Sequence, residues 1–235
     1  MPDIDLYTQS PDQYDLLQEL RPDYIEAIEA CLTLASQYSR NGDIRLLDLC
    51  CGTGANSLKL SKMHPLTKVE LVDINGEFLN MAASSGIVTQ ELSIVKEDVR
   101  HYRPIKEYNL VLSIFAYHHL PDRDKGAYID RIAGALRQDG IVLLAEIFFR
   151  DKASEKSYYE HLIQAIPNDK RSHELTKFLE QTANSDDFEF KVPKSFADIQ
   201  FRQRNFRLIE ERKIWPQTKD ENGTYVQVYS LMNKE

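Results

Sequence analysis

Several residues of this chain have the types and intervals that ligand chemistry uses. The first group is the turn Asp48-Leu-Cys-Cys-Gly-Thr-Gly54, which closes a short apolar run. A strand that ends in Gly-x-Gly and opens a helix brings backbone N–H groups close to a ligand at the helix N-terminus. A pyrophosphate reader needs a third small residue, Gly or Ala, three positions after the second glycine. Ser57 stands there instead, which disfavours a dinucleotide such as NAD. Asp73 follows Gly54 by 19 residues and closes a second apolar run. A carboxylate at that point can accept both hydroxyl hydrogens of a ribose that carries no 2′-phosphate. Asp98 closes a third run, placed to meet an adenine edge. His118 and His119 follow a fourth run, and Glu146 ends a fifth, 28 residues after His118. An imidazole titrates near working pH, and a carboxylate beside it can fix its tautomer.

These residues need a scaffold that brings the ends of successive strands together, and the pattern of the chain supplies one. Strand-like and helix-like segments alternate, as in a parallel sheet wrapped by helices. The expected strands are 45–49, 68–72, 93–96, 108–115 and 141–149, with helices at 56–63, 76–83 and 122–136 between them. Tyr108 to Phe115 is the most continuous apolar run and reads as a central strand buried on both faces. The helix from Asp122 is expected to end in a turn at Gln138-Asp-Gly140. From Arg150 to Asn205 the alternation gives way to helical patterning, with Tyr158, Tyr159, Leu162 and Ile166 on one face. Ser195 reads as the N-cap of a short helix reaching Arg202. Two alternating strands, 206–214 and 225–232, close the chain through Asp220-Glu-Asn-Gly223, a signal for a hairpin-like reversal. The expected fold is therefore α/β, a Rossmann-like seven-stranded, mostly parallel sheet with helices on both faces. Its final strand is antiparallel, and a helical insertion lies between strands 5 and 6.

The chain has 235 residues, of which 42% are hydrophobic and 28% charged, enough for one large domain with its own core. We expect an N-terminal helical arm or lid over 1–43 and a main domain over 44–235, with the insertion at about 150–205. A net charge of −8 argues against a nucleic-acid partner, which calls for a basic face. No run approaches the roughly 20 apolar residues that span a bilayer, and the start Met-Pro-Asp-Ile-Asp carries no signal-peptide pattern. Neither a membrane partner nor export is expected. Three cysteines, two of them adjacent, make no disulfide framework and point to the reducing cytoplasm.

At this level of detail the chain resembles a known family. Leu46-Leu-Asp-Leu-Cys-Cys-Gly-Thr-Gly54 looks like motif I of the class I S-adenosylmethionine-dependent methyltransferases. Val72-Asp73 resembles their second acidic motif and Glu97-Asp98-Val99 their third. Tyr108 to His119 is similar to their fourth strand, and Ala135 to Ala145 to their fifth. The resemblance implies S-adenosylmethionine as cofactor and S-adenosylhomocysteine as product. It implies Asp48 near the methionine amino group, Gly52 and Gly54 along methionine and ribose, Asp73 on the ribose, and Asp98 with Val99 at the adenine. Cys50, Thr53, Ile74 and Phe115, beside these motifs, complete the expected cofactor set.

Methyl transfer from a sulfonium is an in-line displacement, and a hydroxyl acceptor must also lose a proton. The acceptor should sit beyond the fourth strand, at Phe115-Ala-Tyr-His-His-Leu120. The Asn/Asp-Pro-Pro-aromatic motif of enzymes that methylate nucleobase amines is missing there, which again argues against nucleic acid. His118 is the expected base and Glu146 its orienting partner, as the resemblance of this stretch to plant-type small-molecule O-methyltransferases implies. The competing reading makes His118 a helix-entry residue, Glu146 a solvated strand end and His119 structural. Tyr7 and Tyr14 on the arm, with Tyr117 and Tyr158, are expected to enclose the acceptor. No metal is expected, because adjacent histidines should diverge and 115–118 offers no acidic ligand. The expected reaction is methylation of a small molecule on oxygen, or else nitrogen. Carbon methylation of a quinone-like ring and a cofactor-binding module without turnover are the alternatives, and the oligomeric state stays open, a homodimer included.

Overall fold

The computed structural model describes residues 11–38, 43–167, 172–184 and 189–232. Tyr7, named from the sequence as part of the arm, lies outside the described residues.

Seven strands run β1 (Ile44–Leu49), β2 (Leu66–Asp73), β3 (Thr89–Lys96), β4 (Tyr108–Ile114), β5 (Leu136–Phe148), β6 (Phe206–Trp215) and β7 (Gly223–Leu231). They form one sheet in the order β3-β2-β1-β4-β5-β7-β6. β1 pairs in parallel with β2 and β4, and β4 with β5. Only β7 is antiparallel, inserted between β5 and β6. The chain changes direction across the sheet between β1 and β4, and ligands of open α/β sheets bind beyond the carboxyl ends of the strands at such a point.

The strands are apolar on both faces, so their side chains divide between two cores. Leu46, Leu110, Leu143 and Val228 face one side, against α2 (Pro22–Tyr38), α3 (Ala55–Met63) and α4 (Gly76–Ser84). Leu47, Val111, Leu144 and Tyr229 face the other, against α5 (Asp122–Ala135) and α8 (Lys194–Arg202). Burial on both faces is what a central parallel sheet requires. A third cluster joins α6 (Lys152–Ala165) and α7 (Ser172–Asn184) of the insertion to Leu17 of α1 (Pro11–Gln18) and to Ile147 of β5. The helical arm therefore divides its work. α2 packs against the sheet, whereas α1 lies near the β1 turn, where Thr53 Oγ1 donates to Asp15 Oδ1 at 2.9 Å.

Two local expectations are corrected. The segment 137–140 is not a turn after α5 but an extended bulge at the start of β5, where pairing advances from Tyr108↔Leu136 to Leu110↔Ile141. Its exposed Arg137, Gln138 and Asp139 imitate a turn in sequence because the bulge pushes them into water. Ser195 is not the cap of α8, since the cap position is Pro193 and Ser195 already lies within the helix. A proline near the helix start is favoured for its fixed φ. The expected reversal before β7 is present, and it demands its glycine. Gly223 has φ +125°, and a Cβ there would stand 2.3 Å from the Trp215 carbonyl oxygen.

Candidate active site

The turn after β1 is built by two glycines in left-handed conformations and by its first cysteine. Gly52 has φ +55° and Gly54 +73°, and a Cβ on Gly54 would meet the Ala82 Cβ of α4 at 3.0 Å. Cys50 also has a positive φ, 56°, and Phe115, at the matching end of β4, has 51°. Both are costly for residues with a Cβ, and such strain gathers at sites where the backbone is re-aimed. Here it lies at the ends of the two strands flanking the change of direction.

Three carboxylates face this turn. Asp48 is buried, and Ser57 Oγ donates to its Oδ2 at 2.6 Å. Burial, with a smaller push from the charge of Asp73, raises the Asp48 carboxyl to about 7. Ser57, which argued against a dinucleotide, is thus the residue that holds this acid. Asp73 accepts from the N–H of Gly52 at 2.8 Å and of Asn75 at 2.8 Å, so β2 and the β1 turn are clamped together. Burial raises its carboxyl, against the lowering effect of these N–H donors. Asp98 is more open and paired with Arg100, whose guanidinium lowers it. Ile74, directly after Asp73, is 64% exposed, an apolar side chain standing free at the rim, while Val99 is buried.

On the far side of β4, a short 3₁₀ turn at Tyr117–His119 brings both histidines to the end of β5. Glu146 is fully buried, which removes the alternative of a solvated strand end. Its Oε2 accepts from the His118 backbone N–H at 3.1 Å, and its Oε1 meets His118 Nδ1 at 2.5 Å. The imidazole is held by its rear nitrogen. Its Nε2 points to Glu189 Oε1, 3.8 Å away. Glu189 comes from the segment after α7, which Phe190 N–H ties to the His118 carbonyl at 2.7 Å. Burial alone would raise the Glu189 carboxyl, but Lys191 and the two histidines hold it well below its ordinary value. Burial in turn pushes the His119 imidazole well below its ordinary value.

His118, His119 and Glu189 line one narrow pocket together with Tyr14, Arg21, Phe115 and Tyr159. Two residues named from the sequence as enclosing the acceptor sit elsewhere. Tyr117 is fully buried in the core against Tyr128 and Phe201. Tyr158 is buried too, its hydroxyl donating to Asp23 and bonded to Thr224. The helical period turns its neighbour Tyr159 to the pocket instead. The adjacent histidines also do not diverge, since their rings lie 4.1 Å apart. Neighbouring side chains on a 3₁₀ turn stand about 120° apart, less than the opposite faces they take on a strand, so the two rings can meet. Glu189 and Lys191 belong to no motif, and sequence reasoning does not find them. A single buried Glu near a Lys two positions on is no signal in sequence.

Comparisons with known proteins point the same way as this geometry. Residues 46–140 match a family model described as a methyltransferase domain. A carboxy-S-adenosyl-L-methionine synthase from Dichelobacter nodosus is 27% identical over 135 residues, 56% of each chain. A malonyl-[acyl-carrier protein] O-methyltransferase from Ilyobacter polytropus is 32% identical over 78 residues, 33% of this chain and 29% of that one. The chain thus spans about half, or less, of the length of the curated relatives it matches. The fold is similar to that of magnesium protoporphyrin IX methyltransferase from Synechocystis PCC 6803 with bound SAH. The TM-score is 0.63 at 11% identity, covering 89% of this chain and 84% of that one.

Proposed function

We propose that this chain is a class I S-adenosylmethionine-dependent methyltransferase that moves the methyl group of that cofactor to the oxygen of a small molecule. The match of residues 46–140 to a methyltransferase domain and the order of the seven-stranded sheet support this reading. The cofactor would lie across the β1 turn. Asp48 meets its ammonium, Gly52 and Gly54 give close backbone approach, and Asp73 takes the ribose hydroxyls. A carboxylate has about four acceptor positions, so Asp73 keeps capacity beyond the N–H groups of Gly52, Asn75 and Ile74. Ile74 and Val99 would flank the adenine and Asp98 its edge, with Cys50, Thr53 and Phe115 completing the walls.

The observation that carries the acceptor side is the hold of Glu146 on His118. With Nδ1 fixed on Glu146, the imidazole turns Nε2 to the pocket and becomes the group that activates the acceptor. The acceptor oxygen attacks the methyl carbon in line with the C–S bond. That bond's electron pair returns to sulfur, giving neutral S-adenosylhomocysteine, and the acceptor's proton leaves. Oxygen is favoured over nitrogen because an amine needs no such help, and an O-methyltransferase stands among the similar proteins. Tyr14 and Tyr159 would close over the acceptor, and water exclusion of that kind assists the displacement.

The test has two parts. S-adenosylmethionine and S-adenosylhomocysteine should raise the melting temperature, and NAD should not. With methyl-labelled cofactor, phenols, hydroxy acids and amines are then screened for label transfer. A shift with NAD alone would sink the reading, and label found only on amines would overturn the choice of oxygen.

A further inference from the structure

We propose that His118, His119 and Glu189 form a binding site for one divalent first-row transition-metal ion, open towards the acceptor. Each offers one ligand atom, and the three atoms all lie within 4.8 Å of one another. His118 Nε2 and Glu189 Oε1 are 3.8 Å apart. Around a tetrahedral ion with bonds of about 2.0–2.2 Å, ligand atoms stand about 3.4 Å from each other. The histidine–glutamate pair is therefore a few tenths of an ångström from closing on an ion, with no change of fold.

The outer atoms of two of the ligands, His118 and Glu189, are already held, which distinguishes a built site from polar groups that happen to meet. Glu146 fixes His118 through Nδ1, leaving the other nitrogen for the ion. Lys191 and the Tyr159 hydroxyl occupy Glu189 Oε2, leaving Oε1. Carboxylate behind histidine, and donors behind carboxylate, are the outer partners that orient metal ligands. The bond from Phe190 N–H to the His118 carbonyl couples the loop carrying Glu189 to the turn carrying the histidines.

Charge agrees with this assignment. Glu146, Glu155 and Glu189 converge here, and Lys191 bonds the last two. Lys152 reaches Glu155 from the surface. Arg21 is matched by Asp23, and Lys125 by Asp122. Three carboxylates against two ammonium groups leave one net negative charge beside the histidines, which favours a cation there. Two imidazoles and a carboxylate, without thiolate, suit zinc or ferrous iron and not magnesium or calcium.

The inference rests on the proposed methyl transfer and specifies how His118 acts. It presents an ion to the acceptor oxygen and does not take the proton itself. An oxygen bound to such an ion ionises far more readily, so the acceptor's O–H proton passes to water before attack on the methyl carbon.

The untagged chain, stripped of metal by a chelator, is titrated with Zn²⁺ by calorimetry and with Co²⁺ by visible absorption. One ion per chain is expected, with Co²⁺ bands of low-symmetry coordination that His119→Ala and Glu189→Gln abolish. Glu146→Gln should weaken binding by about 10–100-fold. Each variant must still show the melting shift with S-adenosylhomocysteine, which reports that it is folded. The wild-type titration decides by itself if a variant fails to fold. No saturable one-to-one binding, with the cofactor shift intact, overturns the inference and leaves the methyl-transfer reading standing. Ion binding without any cofactor shift sinks the methyl-transfer reading, and with it the role of the ion on an acceptor.

Discussion

Replacing Asp48 by Asn should stabilise the ligand-free chain and weaken its grip on the cofactor, and these opposite signs make the variant a sharp test. The ligand-free fold holds a buried carboxyl raised from 3.8 to about 7, first by burial and then by Asp73, with Ser57 working the other way. An acid whose folded value is raised binds its proton more tightly in the folded chain. Its contribution is therefore best at low pH and is lost as pH climbs from the unfolded value towards 7. At about 1.36 kcal/mol per pH unit the penalty above pH 7 is on the order of 4 kcal/mol. An Asn side chain keeps an oxygen for the Ser57 hydroxyl and carries no charge. A part of that penalty should return at pH 8 as a rise of several degrees in Tm, since 1 kcal/mol is worth roughly 2–4 °C in a domain of this size.

Cofactor binding should move the other way. A hydrogen bond to a charged group contributes roughly 1.5–3 kcal/mol, so Asp48→Asn should cost about 10- to 150-fold in affinity for S-adenosylhomocysteine at pH 8. The wild type must also expel a proton from Asp48 to pair with the ligand's ammonium at low pH. Its affinity should fall towards tenfold per pH unit below about 7, whereas the variant's should stay flat there. On the alkaline side both should weaken as the ligand's α-amino group loses its proton. Calorimetric titration across pH 5 to 9 in buffers of different ionisation enthalpy reads all three effects. Wild-type affinity in Asp48→Asn, together with a lower ligand-free Tm, would show that Asp48 is a structural acid and that the ligand lies elsewhere.

Other outcomes follow from the same geometry. Asp73→Ala removes the acceptor for the Gly52 and Asn75 N–H groups; the melting shift with S-adenosylhomocysteine should disappear, and a full shift would free Asp73 of any role at the ribose. His118→Ala should keep that shift and lower label transfer by about 10²–10⁴, so intact transfer would make the residue structural. Gly54→Ala places a Cβ 3.0 Å from Ala82 in a left-handed backbone; a cost of about 1–3 kcal/mol is expected in urea unfolding, together with weakened cofactor binding. Tyr158→Phe leaves Asp23 and Thr224 without their shared hydroxyl and should cost about 1–3 kcal/mol with cofactor affinity unchanged, whereas an acceptor-specific loss of turnover would return Tyr158 to the pocket.

The two halves of the site differ in how far sequence could reveal them, for a physical reason. The cofactor half stands on consecutive strand ends. A parallel sheet puts Asp48, Asp73 and Asp98 side by side once β1, β2 and β3 are recognised, and the apolar runs before them are plain. The acceptor half depends on contacts across long stretches of chain. Glu146 could be paired with His118 because β4 and β5 are neighbours. Glu189 could not, since its place follows from how the insertion folds over β5 and how Phe190 docks on the histidine turn. Tyr158 and Tyr159 show the same limit at single-residue scale. Both are aromatic and adjacent, and only the packing of α6 on Phe149 and Trp215 decides that Tyr158 is core and Tyr159 pocket.

Phe115 links the two halves. It ends β4 in a left-handed conformation that a large side chain adopts only under constraint. Its N–H stays bonded to the Ala145 carbonyl at 2.8 Å, so the strand pairing with β5 survives the kink. The ring stacks on Tyr24, 5.4 Å between centroids, and lies under the Arg21 guanidinium. Arg21 and Tyr24 belong to the junction of α1 and α2, so the strained strand end is clamped from above by the N-terminal segment. The arm thus covers the strained residue on one side, while Glu146 of β5 holds His118 three positions on from the other. Both halves of the site therefore hang on the sheet, since Asp73 likewise finds partners, Gly52 and Asn75, in the turns at its strand ends.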